Sequence, residues 1–498
     1  MKKLKLSSYI LLFVIGLASC RKGLLDIENP NTPDYKKVYS SGADVLNVTS
    51  GLYNIVYKGE NSASGVKPML STAADNVTCS WGNFAMRDMS FEPRNNAWDN
   101  SASYTNNTVT NYTYNQMYAA INTANLVIKA VDGGLQINGG ADNNKVKAFA
   151  RFIQGVAYGN LALIFDKTFV VDEKQTVGED LAAASDYQKV AEAAVKYLDD
   201  AIALSSNSFT IPSGWLGTAG DYSNLEFKKL CNTMAARIMA YTPRNKTQLA
   251  AVNWSKVKAY ADAGITTDFS VVMDGAVKWY DEAGDYLTAN GWGAADMYVV
   301  NLMDPATQPS HWDDSSTFPY PAKSTNPSDK RLNADFEYIP SNWFNAARGY
   351  YHFSSYRSKR YDDIYVAAIG AKPVVMASEN DMLKAEARIY SSTPDLAGAA
   401  SIINSGTRTS RGRLPNVSAV LNDLIKAIHQ ERHVEMYTTG VGLQFFEMRK
   451  LNLLQKGTPL HFPIPAKQLQ TLRVTTPFYT FGTVAKADGI NTSNGGWR

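Results

Sequence analysis

Few side-chain groupings in this 498-residue chain could carry chemistry. His429-Gln430-Glu431-Arg432-His433 sets two histidines one helical turn apart, a spacing able to chelate a metal. The glutamate is not where H-E-x-x-H or H-x-x-E-H puts it, and no third ligand is evident, so the pair reads as satisfied or solvated. Asp313-Asp314 and Asp362-Asp363 offer paired carboxylates for glycoside hydrolysis, which needs two acids facing each other across a bond. Adjacency in sequence does not supply that arrangement, and such pairs commonly serve as caps, turns or solvated charge. The sequence has no G-x-S-x-G elbow and no P-loop, and Gly291-Trp292-Gly293 is too short to define a nucleotide site. The residues therefore assign no catalytic group and no metal site, and the chain is not expected to be an enzyme.

The first residues set the compartment. Lys2, Lys3 and Lys5 form a basic stretch, and Tyr9 to Leu17 form an apolar one too short to span a bilayer, the pattern of an export signal over 1–19. Leu17-Ala18-Ser19-Cys20 resembles the lipobox of bacterial lipoproteins, which implies cleavage before Cys20 and a diacylglycerol on its thiol. Removing three lysines and no acid takes the formal net charge from +3 to zero, which leaves no electrostatic case for nucleic acid. No later stretch is apolar for long enough to cross a membrane, so membrane contact is expected through the anchor alone. Cys79 and Cys231 are too few for a disulfide framework, and spacing does not decide whether they are bridged. Cys231 falls on a helix core stripe and reads as a small buried apolar residue.

The elements that would position a site are mainly helical. Tyr114, Met117, Tyr118, Ile121, Asn125 and Ile128 keep the spacing of one helix face, as do Phe149, Phe152, Ile153, Val156, Leu161 and Ile164. These two helices should lie side by side. The pattern returns through Tyr187–Ala201, Phe227–Tyr241, Met382–Tyr390 and Leu421–Ile428. The expectation is a mainly α fold in which about four helix pairs of tetratricopeptide type form a scaffold, with a loop-rich second half packed on it.

That scaffold is expected over 36–264 and 376–440, and the insert at about 265–375 breaks the helical pattern with Gly, Pro, Asn, Asp and Ser. Trp279 to Tyr356 holds 16 aromatic residues in 78, about twice the chain-wide 11%. Such loops serve either as a platform for ligands or as a satellite core. On the last helix the stripe Leu421, Leu424, Ile425, Ile428 continues into Arg432 and Glu435, so charge should enter the interior there and require partners. Glu386, Glu431, Arg432, Glu435 and Arg449 are the candidates for an internal ion-pair network.

The run from Gln430-Glu431-Arg432-His433-Val434-Glu435 through Gln444-Phe445-Phe446-Glu447-Met448-Arg449-Lys450 to Pro463-Ile464-Pro465 resembles the C-terminal signature of the SusD/RagB family of nutrient-uptake lipoproteins, here placed at 428–470. Tyr118 to Asn125, Ala148 to Phe152 with Tyr158, Lys384 to Arg388, and Ile403-Asn404 with Arg408 are similar to other segments of that family, in the same order. His433, Val434 and Thr439 depart from its usual residues, and Val441-Gly442-Leu443 is longer than its usual link. The resemblance implies residues 20–35 as anchor and tether and 36–498 as one domain. It also implies a lipid-anchored protein on the outer face of an outer membrane, which binds an oligosaccharide, or failing that a peptide, and passes it to a SusC-like TonB-dependent transporter. By region only, it points to Asp75, Trp81 and Trp98 in an early loop set and to Trp292, Trp312, Tyr320, Arg348 and Tyr350 in the insert as ligand contacts. Packing within the loops is an equal alternative for each aromatic. No cofactor is expected, with a loop-bound calcium left open because carbonyls and acids can hold one without a readable motif. A surface glycoside hydrolase and a purely structural subunit are the rival readings.

Overall fold

The structure, a computed structural model, describes residues 39–78, 82–92, 94–175, 183–311, 321–340, 353–484 and 493–498. The export signal, Cys20 and its tether, Cys79, Trp81, Trp312, Asp313, Asp314, Tyr320, Arg348 and Tyr350 lie outside these.

The apolar stripes become helices where they were expected. Leu52–Asn61 (α1) and Lys67–Ala73 (α2) lead into Asn107–Asp132 (α3) and Asn143–Ile164 (α4), then Tyr187–Leu204 (α5), Asn224–Tyr241 (α6) and Trp254–Asp262 (α7). After the insert come Ala377–Tyr390 (α11), Leu396–Ser405 (α12), Leu421–Val434 (α13), Leu443–Lys450 (α14) and Ala466–Thr471 (α15). The insert's own helices, Glu282–Thr288 (α8), Met297–Met303 (α9) and Arg331–Asp335 (α10), stand between α7 and α11. Helix α3 packs on α4, α5 on α6, α7 on α11 and α12 on α13, and each pair also touches the next. This is a mainly helical, tetratricopeptide-like scaffold of four pairs, and the insert interrupts the third.

Local chemistry sets several boundaries. Ser223 and Glu226 form a reciprocal capping box at the start of α6, satisfying two of the backbone N–H groups that a helix start leaves orphaned. Within the scaffold Phe149, Phe152, Phe227 and Leu198 are fully buried. A buried phenylalanine truncated to alanine typically costs about 3–5 kcal/mol, so these stripes supply much of the stability. At Gly155 a Cβ would come within 2.5 Å of Leu198 Cγ, so glycine is what lets α4 and α5 approach so closely.

Two details differ from the sequence reading. Leu421 is 43% exposed, so the buried stripe of α13 begins only at Leu424, because the first turn of that helix projects beyond its neighbours. The insert is also more regular than its composition suggested. Phe269–Asp274 (β2) pairs antiparallel with Ile369–Val375 (β4), its inward Phe269, Val271 and Met273 alternating with Ser270, Val272 and Asp274. The partner strand lies about a hundred residues away, and local pattern carries no signal for so remote a pairing.

Candidate functional site

Two loop sets meet through one short ladder. Val77–Thr78 (β1) pairs antiparallel with Ala294–Ala295 (β3), and the Asp296 backbone N–H adds a bond to Asn76 O at 3.1 Å. The Ser354 hydroxyl donates to the carbonyl of Ala295 from the far end of the insert. The early loops and the middle insert, more than two hundred residues apart in sequence, are thereby held as one surface.

On that surface Trp292 is 43% exposed. Its ring lies 5.5 Å from that of Tyr286, which meets Phe84 edge-on at 5.2 Å. Asn83 Nδ2 donates to the Tyr286 hydroxyl at 3.1 Å. Phe84, Tyr286 and Trp292 thus form an aromatic ledge drawn from both loop sets. Such faces offer apolar area with little side-chain entropy to lose, and sugar rings or apolar side chains stack on them.

The ledge rests on fixed supports. Tyr286 is carried by α8, whose N-cap Asp281 accepts from the Gly284 N–H at 2.9 Å. Asp281 is buried between Lys67 Nζ at 2.8 Å and Lys372 Nζ at 3.5 Å, and it accepts from the Tyr365 hydroxyl at 3.0 Å. Burial by itself would raise the Asp281 carboxyl, but the two lysines beside it hold it below the usual range. The same burial pushes Lys372 down to about 8. Glu282 accepts from the Ser62 hydroxyl at 2.8 Å and the Ala63 N–H at 3.0 Å, fastening α8 to the α1–α2 turn. Next to Trp292, a Cβ on Gly293 would lie 2.3 Å from the carbonyl oxygen of Leu287, so only glycine lets the ledge strand pass the end of α8.

Of the expected contacts, Trp292 sits on the ledge and two others do not. Trp98 is 2% exposed and packs edge-on against Phe462 at 5.0 Å and Tyr104 at 5.2 Å. Its ring belongs to the core, because the loop that carries it folds back under the C-terminal PIP turn. Asp75 is fully buried. It pairs with Arg94 and accepts from Gln455 Nε2 at 3.0 Å and from the Trp497 indole at 2.7 Å, so it braces β1 from below. Phe84 and Tyr286 were not singled out by sequence; only the aromatic enrichment of the insert hinted at the second.

The acids around the ledge have partners: Asp285 accepts from the Tyr280 hydroxyl, and Asp362 pairs with Arg357 at 2.6 Å. His429 and His433 are both buried, with ring centroids 4.4 Å apart, and His429 Nε2 meets the Tyr298 hydroxyl at 2.7 Å. Burial drives both imidazoles toward the neutral form, His429 down to about 4. Among the described residues no group of three or more His, Cys, Asp or Glu side chains is placed to hold a metal.

Behind the ledge the charges of α13 form two clusters. Arg331, from α10, reaches Glu431 at 2.7 Å, Glu435 at 3.1 Å and Asp329 at 2.7 Å, and Arg360 and Arg411 also converge on Glu435. Arg432 bridges Glu386 and Glu447 at 2.6 Å each, and Lys450 binds the same two carboxylates at 2.6 and 3.1 Å. Arg449 departs from its expected place in this network. Its guanidinium donates to the carbonyls of Leu163 and Leu460 at 2.8 Å and of Tyr241 at 3.0 Å, tying α4, α6 and the PIP turn together. The chain crosses itself there, with Phe165 bridged to Phe462, and the free carbonyls of that crossing need a multidentate donor. Cys231 is fully buried on α6, as its stripe position suggested.

A helical scaffold of four pairs, opened in its third pair by an insert, is a fold this chain shares with solved SusD superfamily and SusD-like proteins. The fold aligns with a solved SusD superfamily protein from Parabacteroides distasonis at a TM-score of 0.61 and 13% identity, covering 86% of this chain and 97% of that one. It aligns with a SusD-like carbohydrate-binding protein from Bacteroides fragilis at 0.57 and 14%, covering 93% and 95%. A SusD-like carbohydrate-binding protein from Bacteroides vulgatus gives 0.55 and 16%, covering 91% and 93%. At such identities the likeness is one of fold. No protein-family model matches the sequence, and no curated protein matches it.

Proposed function

We propose that this protein is a non-catalytic glycan receptor held on the outer face of an outer membrane by a lipid on Cys20, and that it passes an oligosaccharide to a SusC-like TonB-dependent transporter. Residues 1–19 are the export signal, 20–35 the anchor and tether, and 36–498 one domain. The observation that carries this reading is the ledge of exposed Trp292 and half-buried Tyr286 and Phe84, an aromatic surface built jointly by two loop sets and braced by buried ion pairs. The sequence resemblance to the SusD/RagB family and the shared fold, which includes solved proteins described as carbohydrate-binding, support it. No helix among the described residues is long and apolar enough to cross a membrane, which is compatible with attachment through a lipid.

Ligand binding would proceed by stacking on Trp292 and Tyr286 and by hydrogen bonds from neighbouring amides, with no bond made or broken. The test is a binding screen of neutral oligosaccharides against the wild type and Trp292→Ala, together with recovery of the lipidated protein from solubilised outer membranes. Binding weakened roughly tenfold or more by Trp292→Ala, about the loss of one stacked ring and its buried area, is the expected result. Co-purification of a large β-barrel in near-equal amount would support the transporter partnership. Unchanged binding in the variant would overturn the ledge as the site, and recovery of the protein alone would overturn the partnership.

A further inference from the structure

A second surface suited to a carbohydrate chain runs along the scaffold, away from the ledge. Asn111, Asn115, Tyr118, Asn122, Asn125 and Lys129 recur every three or four residues and so occupy one stripe of α3. The stripe spans eighteen residue steps, about 27 Å at the α-helical rise, the length of several sugar units. It borders a groove of about 650 Å³, closed opposite by the 169–175 loop and at one end by α15.

The groove has the polarity of an uncharged polyol site. Its floor is the half-buried rings of Tyr118 and Phe169, held in place because the Tyr118 hydroxyl bonds Thr168 Oγ1 at 2.6 Å and accepts from the Phe169 N–H at 2.9 Å. Its walls are amides. Gln468 Nε2 donates to Asn111 Oδ1 and Asn115 Oδ1 at 2.8 Å each, which orients the two asparagines and leaves their own NH₂ groups available. The Asn122 side chain is exposed and has no partner among the described residues. Charge is largely cancelled: Glu173 is held by both Nη atoms of Arg151 at 2.8 and 3.0 Å, and Asp172 and Lys129 are of opposite sign. A carboxamide both donates and accepts, which suits vicinal hydroxyls, while a site for a phosphate or a charged peptide would concentrate one sign of charge.

We propose that this groove is a second glycan-binding site, taking an extended neutral oligosaccharide along α3, with the rings of Tyr118 and Phe169 as floor and Asn115, Asn122 and Gln468 as hydroxyl partners. It goes beyond the ledge and does not depend on it. The experiment is calorimetric titration of the full mature chain with neutral hexasaccharides of α-1,4-glucan, β-1,4-glucan, β-1,3-glucan and β-1,4-mannan. Wild type, Asn115→Ala/Asn122→Ala and Trp292→Ala are compared. Alanine is the better helix former, so the double variant should keep its fold, which an unchanged thermal melt verifies. The expected result is a binding event that the double variant weakens roughly tenfold, the loss of two hydrogen bonds, and that Trp292→Ala leaves intact. Binding that collapses only in Trp292→Ala overturns the groove and keeps the ledge. Binding that collapses only in the double variant keeps the groove and removes the ledge. Full binding in both variants, or none to any of the four sugars in the wild type, overturns the groove.

Discussion

The neighbourhood of α13 and the ledge invert the usual placement of side chains in opposite directions. Around α13, Arg331, Arg432, Glu431 and Glu435 are at most 1% exposed, where charge is expensive unless paired. On the ledge Trp292 stands 43% exposed, where apolar area earns nothing until a ligand covers it. The first region specifies how α10, α11, α13 and α14 meet, because each guanidinium or ammonium must find its carboxylates in one arrangement. The second leaves part of an aromatic ring open to solvent, the surface proposed above for a ligand. Mutations should therefore separate stability from binding: large folding effects and indirect binding effects at the first, the reverse at the second.

The largest effect is expected for Arg432→Met. It leaves Glu386 and Glu447 buried with only Lys450 between them, and removing one partner of such a pair typically costs about 3–5 kcal/mol. Chemical denaturation should show it, and a loss under about 1 kcal/mol would mean that the network does not frame the packing of these helices. Arg331→Met should be comparably damaging, through Glu431, Glu435 and Asp329.

The same region sets an acid limit. Burial would raise the Glu447 carboxyl, but Arg432 and Lys450 bring it down to about 2, so its contribution is present above its ordinary value near 4.5 and is lost as pH falls toward 2. His429 is buried neutral, with burial lowering it to about 4 against an ordinary 6.5. Its unfolded form binds a proton first, so stability also declines as pH falls from 6.5 to 4, by at most about 3 kcal/mol. His429→Gln should reduce the slope of the upper arm between pH 6.5 and 4, leaving the part that the equally buried His433 and His461 contribute. Arg432→Met should flatten the lower arm. A slope wholly unchanged in the first variant would assign that arm to His433 and His461 alone.

How much of this could be read beforehand follows from what each residue's signal depends on. The helical pairs were legible because period alone defines an amphipathic face, and the entry of Arg432 and Glu435 into the interior followed from the same count along α13. Arg331 was not legible as their partner, since nothing local marks which arginine of a distant insert will reach α13. Arg449 carries the same local signal of charge as the network's other members, although its neighbours are carbonyls left over from a chain crossing. Trp98 and Trp292 looked equivalent in composition. Their exposures of 2% and 43% are decided by whether a loop folds under the PIP turn or is held outward by the β1–β3 ladder. That ladder, like the pairing of β2 with β4, joins segments too far apart for pattern to reveal.

Gly293→Ala tests how the ledge is mounted. The added methyl meets Leu287 O at 2.3 Å, so β3 must shift and carry Trp292 with it. A local backbone adjustment of this kind costs about 1–3 kcal/mol. The expected signature is a moderate loss of stability together with a loss of glycan binding as large as that of Trp292→Ala. Binding that survives intact would show that the position of Trp292 is tolerant and that the ledge is not a preformed surface.

The smallest folding effect belongs to Tyr286→Phe, and it sharpens the contrast most. The change keeps the ring between Phe84 and Trp292 and removes only the hydroxyl that accepts from Asn83. That bond lies at the surface, so its loss should lower stability by no more than about 0.5–1 kcal/mol. If the ledge works by stacking alone, glycan affinity should stay within a few-fold of wild type. If the oriented Asn83 amide also reads a sugar hydroxyl, freeing it should weaken binding further than the loss of stability accounts for, and Asn83→Ala should weaken it to the same degree. Agreement between those two variants would extend the recognition surface from the three rings to the amide beside them.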